Sequence, residues 1–195
     1  DPFTNDAEFM IDEIQSVVDG IVGFNSYDIG HGSCTSDGGI AATPSVCTSF
    51  KARGCTGQPN PVGDPFDIDY VAHEVGHQFS AHHTMNNQCN RQSGSAMEPG
   101  SGSTIMAYAG ICAPNVQNNS DAYFHARSME QIYNYIRGGG ACAATTALAN
   151  NAPTIAPLTS YTIPKGTAFV LKGNGSDVNA NDVLTYTWEQ MNSGA

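Results

Sequence analysis

Residues 73–83 constrain this chain more than any other stretch, because they read His-Glu-Val-Gly-His-Gln-Phe-Ser-Ala-His-His. Two histidines four residues apart lie one turn from each other on one face of a helix, so His73 and His77 can grip one metal ion. Glu74, beside the first, is placed to take a proton from water at that ion. His83 follows six residues after His77. With six histidines in 195 residues, composition alone would produce His-Glu-x-x-His only about 0.006 times in such a chain. The pattern therefore reads as a metal site with hydrolytic chemistry.

The flanking residues predict a helix that supports the site. Asp64 reads as its N-cap and Pro65 as its first residue, and Asp67 suits the positive end of the dipole. Ile68, Val71, Val75 and Phe79 fall on one apolar stripe, and at 100° per residue the histidines point nearly opposite. One face is thus expected in a core and the other toward a cleft.

The length fits one domain, or one domain plus a fragment. A net charge of −11 with only seven Lys and Arg argues against nucleic acid and anionic membrane surfaces as partners. No apolar run reaches the length of a membrane span. The chain starts at Asp1 without a signal peptide and is expected to be a processed or trimmed product. Six cysteines without C-x-x-C pairs point to three disulfides and an oxidising compartment, with fifteen pairings open; six reduced core thiols are the alternative.

Along the chain, residues 5–22 predict an amphipathic helix with an Asn5/Glu8 capping box and Met10, Ile14, Val17, Val18 and Ile21 on its apolar face. Residues 27–50 predict one or two strands, including Gly39-Ile40-Ala41-Ala42, and 51–63 a loop. Residues 84–104 form a long polar, Gly-rich loop that needs disulfide or ion support. Residues 128–137 predict a helix with Ser128 as N-cap, Met129, Ile132, Tyr133 and Ile136 buried, and the glycines from Gly138 as its stop. After a linker at 143–153 come strand-like runs at 161–163, 169–171 and 184–188. They resemble the opening of an immunoglobulin-like or polycystic-kidney-disease-type sandwich. A whole sandwich takes about 100 residues, so this module is expected to be cut short or to pack on the first domain.

His73-Glu74-x-x-His77-x-x-Ser80-x-x-His83, with a downstream Met in Ser103-Thr104-Ile105-Met106-Ala107-Tyr108, resembles the metzincin zinc signature. Tyr27 to His31, Gly39 to Ala41 and on to Cys47 resemble the edge-strand region of reprolysin-like (adamalysin-like) proteases. The nearest likeness is to secreted bacterial enzymes whose catalytic domain precedes sandwich modules. The resemblance covers residues 5–142. It implies an α+β fold, a metzincin-like zinc-protease domain with a small mixed sheet plus helices, followed by β-sandwich-like strands. The expected division is 1–142 protease domain with its N-terminal strands missing, 143–153 linker, and 154–195 partial sandwich.

The resemblance further implies a secreted, zinc-dependent endopeptidase acting on proteins or peptides, and a monomer is expected. His73, His77 and His83 would hold Zn2+, Glu74 would be the general base toward water made acidic by the metal, and Met106 would lie beneath it. Tyr108 is a second catalytic candidate, since a Tyr at this place in astacin-like and serralysin-like relatives reaches the metal and donates to the oxyanion. Cys47–Cys142 and Cys89–Cys112 are the implied disulfides, which leaves Cys34 and Cys55 as the remaining pair. Ser80 departs from the family's Gly, at about 1 kcal/mol for a left-handed backbone. Ca2+ is a candidate second cation, at Glu98 and Asp121 or at Asp177, Asn179 and Asp182, with polar turns as the alternative. His82 is read as lying beside the metal site or exposed, and His31 and His125 as ordinary surface or cleft residues. The pocket by the metal is expected from 108–125, with Ala109, Gly110 and Ile111 as an apolar wall. Two rivals stand: a gluzincin with Glu98 or Glu130 as third ligand, and a non-catalytic adhesion or binding module with a structural metal.

Overall fold

The protein is described by a computed structural model covering residues 2–194. It divides into two units, residues 2–143 with 190–194, and residues 144–189.

Helix α1 spans Ala7–Val22. Its N-cap is Asp6, whose carboxylate accepts from Glu8 N–H at 2.9 Å, and not the expected Asn5. The Asn5 amide is instead used as donor and acceptor at once, exchanging two 2.8 Å bonds with Thr35. Ala7, Met10, Ile11 and Ile14 are buried against Cys34, Ala52 and Cys55. Ile21, expected on this face, is exposed at the helix end.

Three strands form one sheet: β1 Gly32–Cys34, β2 Gly38–Ala41 and β3 Gly54–Gly57. The order is β1-β3-β2, with β3 parallel to β1 and antiparallel to β2. The central strand β3 lies in the segment expected to be a loop. Gly-Cys-Thr-Gly offers no apolar alternation, yet all four residues are buried, so only long-range packing defines it. β2 is left at the edge, which matters for the site.

Helix α2 covers residues 64–78 in three windings: Asp64–Phe66, a π-helical stretch Asp67–Ala72, and α-helical His73–Gln78. Gly63, and not Asp64, stands at the cap; its carbonyl accepts from Phe66 and Asp67 N–H. The π-turns rotate everything after them relative to a 100° wheel. Hence Ile68 and Ala72 meet the core around Ala81, Ile105 and Met106, whereas Val75 and Phe79 are only half-buried. His73, Glu74, Gly76 and Gln78 are the buried residues instead.

The helix ends in a Schellman arrangement, with Ala81 N–H to Gly76 O at 2.9 Å and Ser80 N–H to His77 O at 2.8 Å. Ser80 adopts φ +77° there, a conformation that suits glycine. Ser80→Gly is expected to raise stability by roughly 0.5–1 kcal/mol, after allowing for the freer unfolded glycine. Urea midpoints of the two proteins check this; an unchanged or lower midpoint for the glycine variant would refute it.

Helix α3 spans Ala126–Ile136, capped by His125, whose Nδ1 accepts from Arg127 N–H at 3.0 Å. The expected cap, Ser128, lies in the first turn and is buried. Of the expected buried face only Ile132 reaches the core; Met129, Tyr133 and Ile136 are exposed. Two disulfides staple the irregular segments, Cys47–Cys142 and Cys89–Cys112. Cys34 and Cys55 remain thiols. The β1–β3 register sets each opposite a glycine, Cys34 against Gly57 and Cys55 against Gly32, so they are diagonal neighbours and not a facing pair. Burial first, then Cys34, pushes the Cys55 thiol up to about 12, which keeps it protonated and inert.

The second unit holds one short antiparallel pair, β4 Thr154–Ile155 and β5 Gly175–Ser176. The expected strands at 161–163, 169–171 and 184–188 carry no ladder. Their apolar side chains, such as Tyr161, Phe169 and Val170, are exposed. Among the described residues of this unit no second sheet faces them, and a two-strand pair alone is marginal.

Candidate metal centre

Three elements of the first unit meet at the histidines: α2, the chain after its Schellman turn, and the turn around Met106. Ring nitrogens of His73, His77 and His83 lie within 4.8 Å of one another, the one such His/Cys/Asp/Glu group among the described residues. His82 does not join; it lines a cavity beside the group, and its N–H bonds Gln131.

Each histidine is oriented by a backbone carbonyl. His73 Nδ1 lies 2.7 Å from Ile105 O, His77 Nδ1 2.7 Å from Ala81 O, and His83 Nδ1 2.9 Å from Asn90 O. A carbonyl only accepts, so each Nδ1 holds the proton and each Nε2 keeps a lone pair. Burial holds all three rings below the usual histidine range, His73 well below and His77 to about 4, with the neighbouring rings adding to the effect. They are neutral at pH 7. His77 Nε2 and His83 Nε2 face each other at 3.0 Å, where two lone pairs repel unless a cation or proton lies between. Zinc–nitrogen bonds of about 2.0–2.1 Å at tetrahedral angles set nitrogens about 3.3 Å apart. The donor set fits such an ion, and the carbonyl partners are the outer shell that metal-binding histidines require.

Met106 is fully buried under the group. A Cβ at Gly76 would lie 2.5 Å from its sulfur, so the glycine lets helix and turn close up. Glu74 is buried and packs on edge strand β2, where any side chain at Gly39 would overlap its carboxylate. Burial pushes Glu74 up to about 8; a dication at the three nitrogens would draw it down again.

Tyr108 lies beside the histidines, its ring 4.7 Å from that of His83 and 5.7 Å from that of His73. Its hydroxyl accepts from Asn90 Nδ2 at 3.2 Å, leaving its own proton to donate. Burial raises its pKa. Two cavities open on either side, one of about 490 Å³ and one of about 320 Å³, both touching Glu74 and Tyr108. The smaller runs along Gly39, Ile40 and Ala41 of β2. The larger has the expected wall of Ala109, Gly110 and Ile111, but Asp37, Asp69 and Tyr70 line it too, so it is not an apolar pocket.

Glu98 and Glu130 are elsewhere. The Glu98 carboxylate is buried and taken by protein donors, which leaves it for neither the histidine group nor calcium. Glu130 forms a 2.6 Å surface ion pair with Arg127. In the second unit Asp177 and Asn179 form a turn, Asp177 accepting from Asn179 N–H at 2.7 Å. Sequence reasoning missed Asn90 and the buried Gln78, and it read Gly39 as part of the edge strand without its contact to Glu74. Gln78 ties the end of α2 to the loops through Gly30 O, Ser45 and His31, and His31 reaches Thr56 in turn. The one available signal was that Gln78 and His31 are polar in segments destined for burial.

Among curated proteins no sequence matches the chain. Residues 4–136 match the family described as Metallo-peptidase family M12B, reprolysin-like. That stretch holds α1, the sheet, the histidine group and the Met106 turn, and it ends before the second unit. The chain therefore belongs to the reprolysin-like M12B metallopeptidase family.

Proposed function

We propose that the chain is a secreted, zinc-dependent endopeptidase in which His73, His77 and His83 hold the metal and Glu74 is the general base. The observation that carries this reading is the convergence of three Nε2 lone pairs, each fixed by a carbonyl on Nδ1, beside a buried carboxylate. A bound zinc ion supplies Lewis acidity toward a carbonyl and makes water acidic near neutrality. Glu74 takes the proton of the attacking water and hands it to the leaving amine. Edge strand β2 pairs with an extended substrate and lays its scissile carbonyl between Glu74 and Tyr108. Tyr108 donates its hydroxyl proton to the developing oxyanion.

Protein and peptide substrates follow from the family. Two disulfides favour an oxidising, extracellular setting, and among the described residues no helix is long and apolar enough to cross a membrane. We assign catalysis to residues 1–142, with 143–153 as a linker and 154–195 as a partial module that carries one short strand pair. A structural metal is disfavoured because closed structural sites use four protein ligands.

Cleavage of a denatured protein substrate tests the reading. A chelator is expected to abolish it, and zinc added back to restore it. Cleavage that survives full removal of the metal would refute the proposal.

A further inference from the structure

We propose that Glu98 is the positioning residue of the metal centre, its buried carboxylate holding the chain segments that carry two of the three histidine constraints. The inference rests on the histidines being the metal ligands.

Glu98 is 6% exposed. Its Oε1 accepts from the N–H groups of Ser103 at 2.8 Å and Thr104 at 3.1 Å. Its Oε2 accepts from the hydroxyls of Thr84 at 2.5 Å and Thr104 at 2.6 Å. Among the described residues it has no ion-pair partner; all four donors are neutral. A buried carboxylate without a cation is costly to desolvate, and only a full set of good hydrogen bonds offsets this. The carboxylate is thus bound firmly to one geometry.

That geometry bears on the site from two sides. Thr84 directly follows His83, and its own N–H donates to Met106 O at 3.0 Å. Its carbonyl accepts from Met97 and Glu98 N–H, both at 2.9 Å. Thr104 directly precedes Ile105, whose carbonyl orients His73, and Met106, which lies under Gly76. The planar carboxylate spans the gap between these two segments and sets their spacing. It also accounts for the order of the polar 84–104 loop, with protein donors where a cation was the alternative.

Glutamine can reproduce this fork without charge. Its carbonyl serves Ser103 and Thr104 N–H, and its amide donates to the two threonine hydroxyls, which rotate to accept. Alanine cannot. The test compares the whole chain with Glu98→Ala, Glu98→Gln and Thr84→Val. Two quantities are read at matched far-ultraviolet dichroism: zinc affinity by competition with a chromophoric chelator, and the visible d–d spectrum of the cobalt-loaded protein. The cobalt spectrum responds to ligand geometry and not to stability as such, and the matched dichroism keeps unfolding from passing as a loss of zinc affinity.

The expected result is a fall in zinc affinity of about 10- to 100-fold for Glu98→Ala, the size of effect seen when outer partners of metal ligands are removed. A changed cobalt spectrum should accompany it, with a smaller shift of the same kind for Thr84→Val and recovery in Glu98→Gln. Should Glu98→Ala not fold, Thr84→Val and Glu98→Gln still decide. Parent affinity and spectrum in Thr84→Val together with Glu98→Ala, or with Glu98→Gln where alanine does not fold as the parent does, would overturn the positioning role alone. An alanine-sized loss in Glu98→Gln would overturn it in favour of a charge effect. A parent chain that takes up neither zinc nor cobalt would overturn the histidine reading itself, and this inference with it.

Discussion

Glu74→Gln is expected to leave zinc bound and to lower kcat for peptide cleavage by about 10² to 10⁴, the usual worth of a positioned general base. The variant isolates the proton-transfer role because glutamine has the same shape. Glu74 packs against bare backbone at Gly39, and the amide fits the same space without strain. Glu74 is also outside the group of ring nitrogens, so metal content should not change. What is lost is the capacity to accept a proton. Zinc analysis beside cleavage of a denatured protein checks both halves. Cleavage within tenfold of the parent would remove Glu74 from the mechanism, and loss of zinc would make it a ligand.

His83→Ala is the second large effect, and it acts on binding. Structural zinc sites with four ligands bind with about 10–16 kcal/mol, or roughly 3 kcal/mol per ligand, so losing one of three should weaken zinc by on the order of 10² to 10³. His82→Ala is the internal control, because His82 lies outside the cluster although it is adjacent in sequence. The expected result is zinc lost from the first variant and kept by the second, followed by chelator competition. The reverse pattern would show that the turn after α2 presents the other histidine. Zinc kept equally by both would remove the third ligand from the chain after α2. The structure favours His83 for a local reason. Ser80 at φ +77° ends the helix and reverses the chain, and Asn90 O then fixes the ring through Nδ1 at 2.9 Å.

Asn90 also connects the centre to covalent structure. It follows Cys89, whose disulfide to Cys112 closes the loop, and its side chain reaches Tyr108. One residue thus orients a histidine through its carbonyl and a tyrosine through its amide. Its place in the sequence, inside a polar loop, carried no sign of this.

Spacing alone determined that His73 and His77 would share a helix face beside Glu74, a local consequence of the helical period that the residues carry with them. The resemblance placed His83 after a sharp helix end and Met106 in a turn nearby. The resemblance added two of the disulfides in the structure, Cys47–Cys142 and Cys89–Cys112. Tertiary structure decided the rest. The π-turns in α2 redirected its faces, burying the histidine side and leaving Val75 and Phe79 half-open. A Gly-Cys-Thr-Gly segment became the central strand because its neighbours left room for little else. The β1–β3 register, and not cysteine count, kept Cys34 and Cys55 apart. Glu98 turned from a candidate ligand into a buried anchor because Thr84, before it in the loop, and Ser103 and Thr104, after it, converge on its carboxylate. Such contacts depend on how several elements pack at once, so no window of sequence encodes them by itself.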